Sequence, residues 1–334
     1  MVSGWRGNCR AAGSDRAAAG GWFCLPVLVT VLFLCQPVQL LAQQPLTWEL
    51  VHGRERLDVG VRRPVERQWL DEQTWLQKVS EGWQQTDAAT GAERPWYDVK
   101  RVAGALQAAG MESEAAERAA RGDWLSLRPQ RQLAAVLSGE RLLQVQLQTL
   151  VVREVRGVPQ NPELAEFNAS GDCLAFVSGN ELWAADFVSG VCRQLTTGAG
   201  GAVRNGRADW VYFEEVYDRS WKAWKWSPDG SAIAFMQFDD TAVPQYQISD
   251  HAAVQQTFER EHYPKAGETN PLVRLGIVEV ADGATVWVST SAFDPQDFVL
   301  THFCWRPGSD GLCWYAQNRT QTWLDVMLTA RAGG

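Results

Sequence analysis

Apolar and polar positions change their period along this chain. Residues 23–34 form a short, almost uncharged apolar run. Further on, Val65, Trp69, Leu76, Val79 and Trp83 fall near one face of a 3.6-residue period. Val99, Val102, Leu106 and Ala109 do so again, and residues 111–121 are rich in Ala and Glu. These spacings predict two helical stretches with a polar break at 87–95. Such stripes bury a core, and no chemistry is assigned to them. From about Arg131 the period becomes two. Residues 133–137, 142–147 and 150–155 read as short strands, with a turn at Ser138-Gly139-Glu140 and a hairpin link at Gln148-Thr149. Short strands recur to the end. The pattern divides the chain into 1–42, a targeting segment; 43–130, a segment with two helices; and 131–334, a β region.

Within the β region one unit recurs. Phe167-Asn168-Ala169-Ser170-Gly171 opens the first copy, Trp226-Ser227-Pro228-Asp229-Gly230 the second and Trp305-Arg306-Pro307-Gly308-Ser309 the third. Each is an aromatic, a turn with Gly and an alternating apolar strand. The starts are 59 and 79 residues apart, so loop lengths vary. Four-stranded sheets that cannot bury their faces alone, repeated along a chain, predict a mainly β fold, a β-propeller. A β-sandwich is the competing architecture. Three blades and part of a fourth are expected, with the last edge left open. That reading makes the natural protein longer, or this chain a truncated product.

Composition narrows the partners. The chain has 334 residues, 46% hydrophobic and 21% charged, which is globular composition. Its net charge is −8 and no long basic run occurs, which argues against nucleic acid. Arg6, Arg10 and Arg16 precede the apolar run, and Leu40-Leu41-Ala42 offers a cleavage site. The run is too short to span a bilayer, which takes about 20 residues. It reads as a secretory signal peptide, with an uncleaved membrane anchor as the alternative, and places the protein as secreted or periplasmic. Outside that segment stand Cys173, Cys192, Cys304 and Cys313, enough for two disulfides in three pairings, or simply four buried thiols. No metal-ligand spacing occurs and no cofactor is implied. Asn168-Ala169-Ser170 and Asn318-Arg319-Thr320 match the glycosylation acceptor pattern. His52, His251, His262 and His302 are scattered, without an evident Ser or Asp partner.

The stretch with the most chemistry is Asp209-Trp210-Val211-Tyr212-Phe213-Glu214-Glu215-Val216-Tyr217. On a strand, Glu214 and Glu215 would point to opposite faces. In a helical turn or loop they can converge. Converging carboxylates repel, and a cation between them relieves the repulsion. A primary ammonium has three donors and can serve both groups. The pair therefore suits a peptide's free amino terminus, although adjacent glutamates are more often a solvated surface.

The same stretch resembles the Asp-Trp-Val-Tyr-Glu-Glu-Glu segment of the dipeptidyl peptidase IV family of serine peptidases, with Phe213 in place of the first Glu. Trp226-Ser227-Pro228-Asp229-Gly230 resembles that family's blade start. Gln237-Phe238-Asp239-Asp240-Thr241-Ala242-Val243-Pro244 and Tyr263-Pro264-Lys265-Ala266-Gly267-Glu268-Thr269-Asn270-Pro271 resemble two further family motifs, and Gln317-Asn318-Arg319 and Leu324-Asp325 a later blade. The resemblance implies an eight-bladed propeller followed by a C-terminal α/β-hydrolase domain. It implies that Glu214 and Glu215 grip the substrate ammonium, supported by Asp209, Trp210 and Tyr212. It implies release of N-terminal dipeptides with Pro or Ala second, and a homodimer. An Arg role near the substrate carbonyl is not carried over to Arg131. No G-x-S-x-G elbow occurs in these 334 residues. A hydrolase domain takes roughly 200–250 further residues. The chain is thus expected to be the substrate-gating part of a secreted dipeptidyl peptidase, inactive alone. The alternatives are a non-catalytic binding module and a non-functional truncation product.

Overall fold

A computed structural model describes residues 47–48, 67–250 and 254–332. The signal or anchor segment and its cleavage site lie outside these residues. Among the described residues no helix is long and apolar enough to cross a membrane.

The described chain is a succession of antiparallel sheets, each built mostly from strands adjacent in sequence. The first holds β1 (Arg67–Trp69), β2 (Thr74–Val79), β3 (Gly82–Asp87) and β4 (Glu93–Pro95). Helices α1 (Val99–Ala108) and α2 (Ser113–Ala120) follow. The second sheet holds β5 (Ser126–Arg128), β6 (Leu133–Ser138), β7 (Arg141–Gln146) and β8 (Val152–Arg156). The third holds β9 (Glu163–Phe167), β10 (Cys173–Ser178), β11 (Glu181–Asp186) and β12 (Val191–Gln194). The fourth joins β13 (Val203–Asn205), β14 (Trp224–Trp226), β15 (Ala232–Asp239), β18 (Leu272–Glu279) and β19 (Thr285–Trp287). Between β15 and β18 a separate hairpin projects, β16 (Gln245–Asp250) paired with β17 (Thr257–His262). The last sheet has three described strands, β20 (Val299–Trp305), β21 (Gly311–Gln317) and β22 (Leu324–Ala330).

One helical expectation is corrected. The run from Trp69 to Trp83 is not a helix but β1 to β3 of a sheet, and Val65 lies outside the described residues. Six-residue strands joined by a two-residue turn happen to place apolar residues three, four and seven apart, which imitates a helical face. The turn is set at Gly82, whose φ of +123° suits glycine, and a Cβ there would stand 2.9 Å from Val99 Cγ2. The sheet adds one blade-like unit ahead of the three and a part that the repeats predict. The second helical stretch is real and divides in two. Asp98 accepts the Arg101 N–H at 3.1 Å to start α1, and the Glu112 carboxylate accepts from Glu114 and Ala115 to start α2. Their buried faces, Val102, Leu106, Ala116 and Ala120, pack on Ala134, Val136, Leu143 and Val145 of the second sheet.

The repeated unit does what its aromatic predicts. Trp226 Nε1–H donates to the Glu166 carbonyl of the preceding sheet at 2.9 Å, and Trp305 Nε1–H donates to the Lys225 carbonyl at 3.0 Å. The turns stack in register too: the Asp229 N–H donates to Ser309 Oγ at 3.0 Å. At these two junctions a half-buried indole spends its one donor on the backbone of the preceding sheet.

The two glycosylation acceptor patterns are turn chemistry here. Asn168 is buried and accepts the Gly171 and Cys173 N–H groups; Asn318 is buried and donates to Thr320 and Thr322 hydroxyls. All four cysteines outside the N-terminal segment are free thiols, in line with the second of the two readings open in the sequence.

Candidate functional site

The carboxylate pair sits on a widened helical turn between β13 and β14. Asp209 starts it: its two carboxylate oxygens accept the Val211 N–H at 2.9 Å and the Tyr212 N–H at 3.0 Å. The turn then opens to π-helical spacing over Tyr212–Val216, closed by the Tyr217 N–H on the Tyr212 carbonyl at 2.8 Å. Single π turns of this kind recur at functional sites, because the extra residue re-aims side chains. Here Tyr212 faces the core, where Val216 and Tyr217 also pack, while Glu214 and Glu215 line one cavity. The strand arrangement, which would have separated the two carboxylates, is not the one formed.

Aromatic contacts lock the turn. The Tyr212 ring meets Phe238 at 4.9 Å and Tyr217 at 5.7 Å, and its Oη accepts the Leu300 N–H from β20 at 3.1 Å. Tyr212 is 2% exposed, and burial pushes its hydroxyl well above the usual range. Phe213, where the motif has Glu, stacks on Trp221 at 3.9 Å with rings nearly parallel, and the Arg207 guanidinium lies over the Trp221 ring at 4.2 Å. Trp210 packs against both Phe213 and Trp221. The Phe is therefore a packing residue that holds the turn's outer side.

Beneath the turn lies a buried acidic pair. Asp209 is 2% and Asp240 1% exposed. Burial, with Asp240 as a second cause, pushes the Asp209 carboxyl up to about 6. Burial raises Asp240 as well, against an ion pair with Arg204. The motif at 237–244 thus supports the site from below, through Phe238 on Tyr212 and Asp240 beside Asp209.

The cavity measures about 620 Å³ and is lined by Trp210, Glu214, Glu215, Tyr246, Ile248, Glu261, Tyr263 and Lys265. Its far wall is the β16–β17 hairpin. Tyr246 pairs directly with Glu261 and lies two residues from Ile248, so all three share a hairpin face. The loop after β17 brings Tyr263 and Lys265, with Lys265 Nζ 5.4 Å from the Tyr246 ring centre. That loop is tied to the last sheet by Arg319, which donates to the Glu268 carbonyl at 2.6 Å. Two sequence motifs, at 209–217 and 263–271, therefore line one space together with the hairpin.

Three carboxylates and one ammonium line this space, so it favours a cation. Glu215 is exposed and Glu214 half-buried. Arg219 Nη2 donates to Glu214 Oε1 at 2.6 Å and fixes that side chain. To return there, Asp218 and Arg219 both adopt left-handed backbone, with φ of +48° and +63°, rare for residues with a Cβ. Sequence reasoning did not single out Arg219 or the hairpin residues as site members. The hairpin's alternating Tyr246 and Ile248, apolar on a strand of otherwise polar residues, was the available signal. Arg131 does not line the cavity. His262 Nδ1 lies 2.8 Å from the Val243 carbonyl oxygen, and His302 packs on Tyr315; burial and Lys225 hold His302 below its ordinary value. His52 and His251 lie outside the described residues. Among the described residues no cluster of three metal-binding side chains occurs.

Comparison with known proteins adds the following. A family model described as the dipeptidyl peptidase IV (DPP IV) N-terminal region matches residues 140–334. A probable dipeptidyl peptidase 4 of Emericella nidulans is 32% identical over 179 residues, which are 52% of this chain and 23% of the relative. One from Aspergillus fumigatus is 31% identical over 166 residues, 48% of this chain and 21% of the relative. The chain therefore spans less than a quarter of the length of these relatives. Among solved structures, Porphyromonas gingivalis dipeptidyl peptidase 4 superposes with a TM-score of 0.62 at 21% identity, covering 80% of this chain and 38% of that one. A putative dipeptidyl aminopeptidase IV from Bacteroides ovatus gives 0.60 at 18%, covering 80% and 36%. At these identities the superpositions establish the fold, part of a β-propeller.

Proposed function

The chain belongs to the dipeptidyl peptidase IV N-terminal-region family, and from that premise we propose that it holds the free amino terminus of a peptide between Glu214 and Glu215. The observation that carries this reading is the turn itself: two consecutive carboxylates line one aromatic-walled cavity instead of diverging. An ammonium placed there donates to both, and its third N–H remains for Glu261 or water. Trp210 and Tyr246 supply wall surface for the first residue's side chain.

Gripping the amine explains why such a propeller would serve an exopeptidase. A fixed amino end sets the distance to the second peptide bond, so the bond presented to a nucleophile is always that one. The nucleophile, its base and the base's partner would come from a serine hydrolase domain, for which this sequence has no G-x-S-x-G elbow. In that arrangement the released product is a dipeptide, with Pro or Ala second. The chain alone binds and does not cut. Its charged start and apolar run at 23–34 support a reading of the chain as exported, whether secreted, periplasmic or anchored.

The test is calorimetric titration of the chain with a Pro-second tripeptide, with its amine free and with it acetylated. Acetylation removes the charge and two of three donors. A charge-assisted hydrogen bond contributes about 1.5–3 kcal/mol, so binding should weaken roughly 10- to 150-fold. Equal binding of both peptides overturns the reading.

A further inference from the structure

Four cysteines lie among the described residues, and the fold separates their three pairings. Cys173 on β10 pairs with Asp186, and Cys192 on β12 pairs with Ala185, so β11 runs between the two cysteines. Two strand spacings put their backbones roughly 9–10 Å apart, beyond the ~7 Å that a disulfide can span. They also face different cores, Cys173 with Leu182 and Trp224, Cys192 against the cluster of Phe167 and Phe187.

Cys304 and Cys313 differ in every one of these respects. They are direct partners across the β20–β21 hairpin. The Arg306 N–H donates to the Gly311 carbonyl at 2.9 Å, and Arg306 and Gly311 stand two steps along the same ladder. Alternation of the ladder makes Cys304 and Cys313 a hydrogen-bonded pair, with Cα atoms about 5.5 Å apart, inside the usual disulfide Cα range of about 4.4–6.8 Å. The Cβ atoms of such a pair stand toward the wide end of about 4.5–5.5 Å, so closing the bond must draw the two strands together and leaves it readily reduced. Leu312 and Trp314 point into the core, so Cys313 between them points to the other face, together with Cys304. Both are half-buried, hence reachable. Burial, and then the neighbouring Cys304 thiol, raise Cys313 above its ordinary value.

We propose that Cys304 and Cys313 are a site of reversible disulfide formation, oxidised by a small-molecule disulfide such as oxidised glutathione. One cysteine thiolate attacks the glutathione disulfide, forming a mixed disulfide and releasing one glutathione. The thiolate of the other cysteine then displaces the second glutathione. Two protein S–H bonds are lost and one S–S bond forms. The two electrons and two protons leave on two molecules of reduced glutathione. The new bond clamps β20 to β21. Strand β20 also carries Leu300, whose N–H holds Tyr212 and through it the carboxylate turn, so the clamp lies on the strand that supports the site. The proposal rests on the hairpin alone and stands whether or not the cavity binds peptide amines.

The test uses the 334-residue chain equilibrated in oxidised glutathione, quenched in acid, unfolded and alkylated with N-ethylmaleimide. Cleavage before Asp310 opens the loop between the two cysteines, and the peptides are weighed. The expected result is a Cys304 peptide joined to a Cys313 peptide, two hydrogens lighter than their sum and separated by reductant. Cys173 and Cys192 should not be joined to each other. In Cys304→Ser the joined species should vanish, and Cys313 should carry maleimide or glutathione. Recovery of Cys304 and Cys313 unlinked in the wild-type chain, or linked to other cysteines, overturns the proposal. The wild-type result decides even if the variant does not fold.

Discussion

Asp209 shows how one residue carries both the architecture and a measurable cost. It is buried, it orders the turn through two N–H bonds, and its carboxyl is pushed up to about 6 by burial and then by Asp240. An unfolded Asp titrates near ~3.9. Between these values the folded state binds more protons than the unfolded state, so this group's contribution to stability falls as pH rises from about 4 to about 6. Asp209→Asn keeps an acceptor for the turn and removes the ionisation. The expected result is a shallower fall in unfolding free energy between pH 4 and 7, by on the order of 1–3 kcal/mol across the window, measured by urea unfolding at each pH. Parallel curves for wild type and variant would contradict the assignment. Phe213 is the second residue whose role the structure redefines. It stands where the resembled motif has Glu, and its ring stacks on Trp221. Phe213→Glu should lower the urea midpoint, with about 0.5–1.5 kcal/mol lost from the stack itself; an unchanged midpoint would show that the stack adds nothing.

At the scale of elements, the turn depends on β20. The Leu300 N–H is buried and its acceptor is the Tyr212 hydroxyl. Tyr212→Phe leaves that donor unpaired at almost constant volume and should cost about 1–3 kcal/mol in urea unfolding. A loss under a few tenths would mean that another acceptor takes over. The same sheet has a sharper constraint at Gly311, where a Cβ would stand 2.2 Å from the Thr329 carbonyl oxygen. Backbone cannot yield as a flexible side chain can, so Gly311→Ala should disrupt the end of the β21–β22 pairing and slow-exchanging amides of β22 should lose protection. Elements are also where sequence reading divided most clearly. The strands from 133 onward were legible as short apolar runs bounded by turn residues, and β6, β7 and β10 are in fact buried on both faces. The run at 69–83 was misread, because strand lengths and the turn at Gly82 reproduced helical spacings that only pairing partners could distinguish. The convergence of Glu214 and Glu215 was legible only as one of two outcomes. What decided it, the Asp209 cap and the π turn, depends on contacts with Phe238 and Leu300 far along the chain.

For the whole molecule, the repeated aromatic-turn-strand unit was enough to identify stacked sheets, because the same residues that mark the repeat make the contacts between sheets. The cavity was not legible as a volume. Its far wall comes from an inserted hairpin, outside the repeat, and its charge balance depends on Glu261 and Lys265, placed by register and by a loop. The central claim is that the two carboxylates act on a peptide's ammonium. A double-mutant cycle measures that coupling directly: free-amine and acetylated tripeptide, each titrated into the wild-type chain and into Glu214→Gln/Glu215→Gln. The account predicts that acetylation weakens binding to the wild type by about 1.5–3 kcal/mol more than to the variant. Equal effects of acetylation on both proteins would contradict it and would leave the turn as a packed edge of the fold.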